Sequence, residues 1–301
     1  MYTLAHLSDV HLGGLALPRP DELLSKRALG FLSWHLRRRA VHEGPVLAAL
    51  VADLHQRRPD HTTVTGDLVN ISLPAEFERA AAWLASLGPP ADVSVIPGNH
   101  DAYVPIAWER SLALWAPYMT GDGDSADKAA GFPYLRRRGP LALIGVSTAA
   151  PMPAHMAAGV IGAEQLRRLE GLLAETGREG LCRVVMIHHP PLSSPAHRLK
   201  RLLDGGAFCK LVAERGAELV LHGHTHMSAL AYLATPRARV PVVGVPSASA
   251  RPNRSHDPSR YHLYKIARDG ESWRIEVEVR GVAPGLDSFM EEKGFSLSVA
   301  A

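Results

Sequence analysis

Cysteine is scarce in this chain of 301 residues: there are two, Cys182 and Cys209, and neither sits in a CxxC or finger-like spacing. That excludes a disulfide framework and a thiolate zinc site, and two free thiols fit a reducing, cytoplasmic compartment. Long apolar runs are missing as well. Nowhere do about 18 or more apolar residues follow one another without a charge, so no segment is expected to span a bilayer. The start of the chain lacks the basic and apolar regions of a secretory leader. Charge of one sign is not in excess either: 33 Lys and Arg face 30 Asp and Glu, for a net charge of +3, too little for an electrostatic nucleic-acid binder, so no stable nucleic-acid partner is expected. No Ser/Gly-rich linker, low-complexity tract or internal repeat divides the sequence. One domain is expected over 1–284, with 285–301 as an uninformative, frayed tail.

What is present is alternation. Short β-branched or apolar runs at 2–8, 62–65, 93–96, 141–146, 183–187 and 218–221 read as strands. Between them, 45–58, 75–87, 163–176 and 199–215 carry apolar residues at three- and four-residue steps, as amphipathic helices do. The pattern predicts an α/β fold. After His226 the texture changes to strand-like runs at 230–234, 240–245, 261–267 and 273–279, separated by Pro, Gly, Asn and Asp, so the second half should add antiparallel strands.

Polar motifs follow the strands: Asp9-Val10-His11, Gly66-Asp67, Gly98-Asn99-His100-Asp101, His188-His189-Pro190 and Gly223-His224-Thr225-His226. In open α/β sheets ligands bind beyond the carboxyl ends of the strands, so loops far apart in sequence can converge there. In Asp9-x-His11 and His224-x-His226 the two side chains are two residues apart, which on extended backbone aims them to one side, where each pair can grip a metal. Gly-Asp alone is common turn chemistry, and an Asp or His after a strand is often a cap; three polar residues after Val-Ile-Pro-Gly are harder to explain that way. Carboxylate, imidazole and carboxamide ligands without thiolate suit Mn, Fe, Zn, Co or Ni. Seven candidate ligands exceed what one ion takes, and a bridging carboxylate would hold two cations about 3.5–4 Å apart, the arrangement that clamps attacking and leaving oxygens at phosphorus. Gly66, Gly98 and Gly223 let backbone pass close to the metals.

In that order, the five motifs resemble the full signature of the calcineurin-like metallophosphoesterases, over residues 4 to about 250. The resemblance implies a four-layer α/β/β/α sandwich of two mixed sheets flanked by helices, with a binuclear site at one end. Carried over by motif, the first metal would take Asp9, His11, Asp67 and His226, and the second Asp67, Asn99, His188 and His224, with Asp67 bridging. The family pattern His-x-Pro selects His188 over His189, and His222 matches no ligand position. Two cations lower the pKa of a bridging water enough to supply hydroxide near neutral pH and neutralise charge on the phosphoryl oxygens, so no protein nucleophile is needed. In the family the histidine of Asn-His-Asp, here His100, gives the leaving group its proton; Asp101 would orient His100 or stabilise its charged form.

The Asn-His-Asp and His-His-Pro-Pro forms most resemble the class III cyclic-nucleotide phosphodiesterase branch, which implies a small phosphodiester or nucleotide substrate. One segment departs from a minimal version of that pattern. Around 21–42 a helical insertion is expected, in which Leu24, Ala28, Phe31, Leu32 and Leu36 share one arc and Lys26 and Arg37 fall opposite. A basic amphipathic helix with Trp34 and Phe31 can lie on an anionic membrane surface, as a peripheral contact at its inner face; an ordinary insertion would bury its apolar arc on the domain and leave its cations solvated. The membrane reading brings a second substrate into view, a nucleotide-linked lipid pyrophosphate like that of the UDP-diacylglucosamine hydrolases. Nuclease activity fits less well, for want of a capping domain and a basic stripe. Arg251, Arg254 and His256 after Ser247-Ala248-Ser249 form a second basic cluster that could meet a phosphate or remain a solvated loop. Pairing of the chain with itself as a homodimer stays open.

Overall fold

The computed structural model describes residues 1–15, 17–36, 41–124, 131–192, 199–236, 238–252 and 257–300. Among the described residues, twelve strands form two six-stranded sheets. The first holds β1 (Tyr2–Leu7), β2 (His61–Val64), β3 (Val93–Val95), β10 (Arg260–Asp269), β11 (Ser272–Val282) and β12 (Phe289–Ala300), in the order β12-β11-β10-β1-β2-β3. The second holds β4 (Tyr134–Arg138), β5 (Leu141–Gly145), β6 (Cys182–Met186), β7 (Leu219–His222), β8 (Ala229–Ala234) and β9 (Arg239–Gly244), in the order β4-β5-β6-β7-β9-β8. β1, β2 and β3 run parallel, as do β5, β6, β7 and β9. The strands after residue 226 pair antiparallel at β8–β9 and across β10–β11–β12, as the change of texture predicts.

Alternation along the central strands builds the layers. Leu141, Leu143, Val184, Met186, Leu219 and Leu221 join the core shared with the first sheet. Their neighbours Ala142, Ile144, Val185, Ile187 and Val220 face the opposite way, onto Leu169 and Leu173 of α4 (Ala163–Arg178) and Phe208 and Val212 of α5 (Gly205–Arg215). On the outside of the first sheet, α2 (Gly44–Arg57) and α3 (Pro74–Leu87) insert Leu50, Leu54, Phe77 and Leu84. The result is a mixed α/β sandwich of helices, sheet, sheet and helices, with residues of both faces fully buried, as period-two strands between two apolar layers require.

Three expectations need correction. Residues 289–300 are not a frayed tail but the edge strand β12, which pairs with β11 along its length and buries Phe289, Leu297 and Val299. β4 is not among the expected strands; its Arg136 is buried, with the guanidinium donating to the carbonyls of Pro90, Val93, Pro117 and Thr120, which satisfy the charge. The insertion forms a short 3-10 turn, Pro20–Leu23, and the helix α1 (Arg27–Leu36), with its polarity reversed. Trp34 is buried, Arg27 donates to the carbonyls of Ile71 and Ser72 (3.1 and 2.5 Å) and Lys26 to that of Met152 (2.5 Å). Leu24, Leu32 and Leu36 face outward at 87, 56 and 71% exposure. Satisfying bare loop carbonyls with cations takes precedence here over burying the leucine arc. Arg37 lies outside the described residues.

Candidate metal centre

Each motif begins within a few residues of the carboxyl end of a parallel strand: Asp9 and His11 after β1, Asp67 after β2, Asn99 and His100 after β3, His188 after β6, His224 and His226 after β7. The first three strands belong to one sheet and the last two to the other, so the site lies where the ends of both sheets meet. Hydrogen bonds cross that seam: His188 Nδ1 donates to the Thr65 carbonyl (2.6 Å), the His224 backbone N–H to Asp9 Oδ2 (2.9 Å), and Ser247 Oγ to the Asp9 carbonyl (2.6 Å).

The backbone that makes this convergence is not extended, as the two-residue spacing predicts, but left-handed. Asp9 (φ 52°), His11 (40°), Asp67 (55°), His224 (69°) and His226 (55°) all lie in a region that residues with a Cβ enter at a cost of about 1–3 kcal/mol each. Such conformations persist only where neighbours fix them. Here the Asp9 and His11 N–H groups donate to the carbonyls of Gly66 and Asp67, both at 2.9 Å. Gly66 itself has a φ of 98°, and a Cβ at Gly223 would strike Ser8 and the Asp9 carboxylate, so glycine gives the turn at one position and close approach at the other.

The side chains form two groups around Asp67. In the first, His11 Nε2 lies 3.9 Å from Asp67 Oδ2 and 3.3 Å from His226 Nε2, and His226 Nε2 lies 3.1 Å from Asp9 Oδ1. In the second, His188 Nε2 is 3.3 Å from Asp67 Oδ2 and 3.2 Å from Asn99 Oδ1, and the His224 ring centroid is 5.2 Å from that of His188. Ligand atoms of Asp9, His11 and His226, and of Asp9, Asp67 and His188, lie within 4.8 Å of one another.

Several observations test whether these residues suit metal ions. Asp9 Oδ1 is buried and, although His226 Nε2 lies 3.1 Å away, receives no hydrogen bond of good geometry, an arrangement a cation would satisfy. His11 donates Nδ1–H to the Val69 carbonyl and His188 to that of Thr65, which turns each Nε2 lone pair into the cluster. His224 does the converse, donating Nε2–H to the Lys200 carbonyl and leaving Nδ1 inward. His189, although close to His188 and His224, has both ring nitrogens engaged, Nδ1 with Thr148 Oγ1 (2.6 Å) and Nε2 with the Ala157 carbonyl (3.1 Å). It is a buttress, and His188 is the better candidate ligand. His222 bonds its own neighbour's carbonyl at Gly223 and packs on Gly244.

Burial alone would raise the pKa of Asp9 and Asp67; the imidazoles of His226 and His188 overcome it and hold both carboxyls far below the usual range. Burial pulls His188 down, yet Asp67 beside it wins and lifts it to about 9. Asp101 does not reach for His100. Its oxygens accept four backbone N–H groups, Leu68 and Val69 on Oδ1, Asp67 and Gly98 on Oδ2, at 2.8–3.0 Å. It therefore ties the Asp67 loop to the Gly98 loop, and desolvation and Asp67 push its pKa up to about 7. His100 is oriented instead by donating Nδ1–H to the Asn70 carbonyl (2.5 Å) and by stacking on Tyr103, with centroids 5.7 Å apart and planes 6° apart.

Sequence reasoning missed His42. It is buried, bonded to Ser249 Oγ (2.8 Å), with its ring 4.5 Å from His11 and 5.7 Å from His226. No motif spacing signals it; only the bridge between residues 42 and 250 brings it there. Of the second basic cluster, Arg251 pairs with Glu43 (2.9 Å), and Arg254 and His256 lie outside the described residues.

The sequence pattern of the calcineurin-like phosphoesterases matches residues 2–228. The chain belongs to that family. As a calcineurin-like phosphoesterase it is a metal-dependent hydrolase of phosphate esters. It is 27% identical over 238 residues, 77% of its length and 82% of the other, to a probable cyclic nucleotide phosphodiesterase of Synechococcus sp.. A dimetal phosphatase of Danio rerio shares its fold at a TM-score of 0.63, with 12% identity, over 99% of this chain and 98% of that one. The purple acid phosphatase PPD1 of yellow lupin does so at 0.61 with 14% identity, over 99% of this chain and 53% of that one.

One pH dependence follows. Below about 9, His188 in the metal-free protein carries a proton that an incoming ion must displace. Apparent metal affinity, measured by chelator competition, should therefore rise as pH goes from 6.5 to 8.5, by up to roughly tenfold per unit. A flat profile would exclude His188 as a ligand.

Proposed function

We propose that this phosphoesterase is a binuclear phosphodiesterase acting on small diesters or nucleotides, with Asp9, His11, Asp67 and His226 holding one ion and Asp67, Asn99, His188 and His224 the other. The observation that carries this reading is the position of the Asp67 carboxylate, buried between two imidazole groups that approach it from the ends of different sheets. A pair of bound cations, Mn, Fe or Zn by the donor set, supplies ionised water near neutral pH and offsets charge on the phosphoryl oxygens.

The chain's own part is to orient and to move a proton. His100 keeps Nδ1–H on the Asn70 carbonyl, so Nε2 is the atom that can carry a proton to the departing alkoxide. Asp101 acts at one remove, by fixing the loops that bear Asp67 and Asn99. The Asn99 and His100 side chains border a cavity of about 400 Å³, room for one small leaving group. The likeness to a probable cyclic nucleotide phosphodiesterase supports a diester rather than a monoester.

His100→Ala should slow hydrolysis of a methyl ester by roughly 100- to 10,000-fold, the range for a positioned acid, and that of a 4-nitrophenyl ester far less, since nitrophenolate leaves without a proton. Equal losses on both would remove the acid role.

The outward leucines of α1 favour a second reading, in which the diester is a nucleotide-linked lipid pyrophosphate met at a membrane surface. If so, the chain should co-sediment with anionic liposomes in a salt-sensitive manner, and serine at Leu24, Leu32 and Leu36 should abolish it. Absence of binding at low salt would leave only soluble substrates.

A further inference from the structure

The cavity beside His100 has a chemical character that the metal centre does not explain. It is lined by Gly30 and Ser33 of α1, by Lys26 just before that helix, and by Met152, His155 and Lys200. Among the described residues that line it none is acidic, while two lysines and two histidines do. Net positive charge in a partly enclosed space without a counter-ion favours an anionic occupant.

Lys26 is the member of this set that the fold has committed. Its ammonium lies over the Tyr103 ring, 4.3 Å from the centroid, and donates to the Met152 carbonyl at 2.5 Å. An ammonium has three N–H donors, and that carbonyl takes one. The same Tyr103 ring stacks on His100, so Lys26 lies one aromatic ring away from the candidate acid, on the side where the leaving group departs. Burial pulls its pKa down. A half-desolvated cation held by a carbonyl and a ring face is stabilised further when an anion arrives, because its desolvation has already been met.

We propose that Lys26 recognises a second anionic group on the substrate, a phosphate or carboxylate carried by the leaving group, so that the preferred substrates release a charged alcohol or a phosphate monoester rather than a neutral alcohol. This rests on the phosphodiesterase reading and on His100 marking the leaving-group side. It separates substrate classes that the metal centre treats alike, since a cyclic nucleotide has no second anion and a pyrophosphate diester does.

The test uses the metal-loaded full chain with methyl phenyl phosphate and methyl 4-carboxyphenyl phosphate, diesters that differ by one carboxylate, and UDP-glucose as the phosphate arm. Dissociation constants come from calorimetry, independent of turnover, and kcat/KM from product release. One charge-assisted hydrogen bond corresponds to a preference of roughly 10- to 100-fold for the carboxylated diester; Lys26→Met should reduce it to near unity and Lys26→Arg should retain it. UDP-glucose should follow the carboxylated diester if phosphate is accepted in the same position, and methyl phenyl phosphate if only carboxylate is. No preference in the parent chain, or a preference that survives Lys26→Met, overturns the proposal. Failure to hydrolyse any diester while the binding preference holds would instead overturn the phosphodiesterase reading.

Discussion

The site depends on keeping one carboxylate ionised where water cannot reach it. Asp67 is about 1% exposed, and an isolated buried carboxylate would take up a proton rather than remain charged. What holds it as an anion is the ring of imidazoles from His188, His100 and His11, together with the His100 backbone N–H on its Oδ1 at 2.7 Å. Those groups come from the loops after β1, β3 and β6, so Asp67 stays ionised in its buried position only because both sheets pack around it. Folding and the capacity to hold cations are thus coupled through a single side chain, the linkage expected when ligands gather only in the native state.

The same coupling accounts for the unusual backbone. Five candidate ligands lie at positive φ, and together they hold several kcal/mol of unfavourable conformation. The fold sustains it with bonds between the loops: the carbonyls of Gly66 and Asp67 receive the β1 loop, and Asp101 takes up four N–H groups from the loops of β2 and β3. Asp101 thereby does for the backbone what Asp67 would do for the proposed cations. Its role is to hold geometry, and a carboxylate accepting four donors has no lone pair suitably directed for His100.

Much of this was legible in the sequence, for a reason that particular residues make clear. The strands before Asp9, Asp67, Asn99, His188 and His224 are short runs rich in apolar and β-branched residues, and the ligand residues follow within a few positions, so strand ends and chemistry mark each other. Left-handed φ values were not legible, since the Asp-x-His spacing fits an extended or a left-handed backbone equally. β4 was hidden because whether an arginine is solvated or satisfied by carbonyls depends on loops at residues 90 and 117 that lie far away in sequence. β12 has Glu291, Glu292 and Lys293 near its start and reads as a tail until β11 offers it an edge. His42 stands alone, and only tertiary structure sets it against His11 and His226. On α1 the apolar arc was legible but its direction was not, because the partners of Lys26 and Arg27 are loop carbonyls.

The family, the fold and the donor set agree on metal-dependent phosphoester hydrolysis, and the proposed division of labour asks little of the protein beyond position. In that proposal two cation sites share Asp67, one imidazole delivers a proton, and a basic cavity selects what leaves. The central claim is that sharing. Metal analysis of the chain reconstituted with Mn²⁺ and desalted, compared with Asp67→Asn, tests it most directly. The account predicts two ions per wild-type chain and loss of both on removing one charge from the shared ligand, with the fold retained by circular dichroism. One ion per chain in the wild type, or two ions still bound by Asp67→Asn, would contradict it.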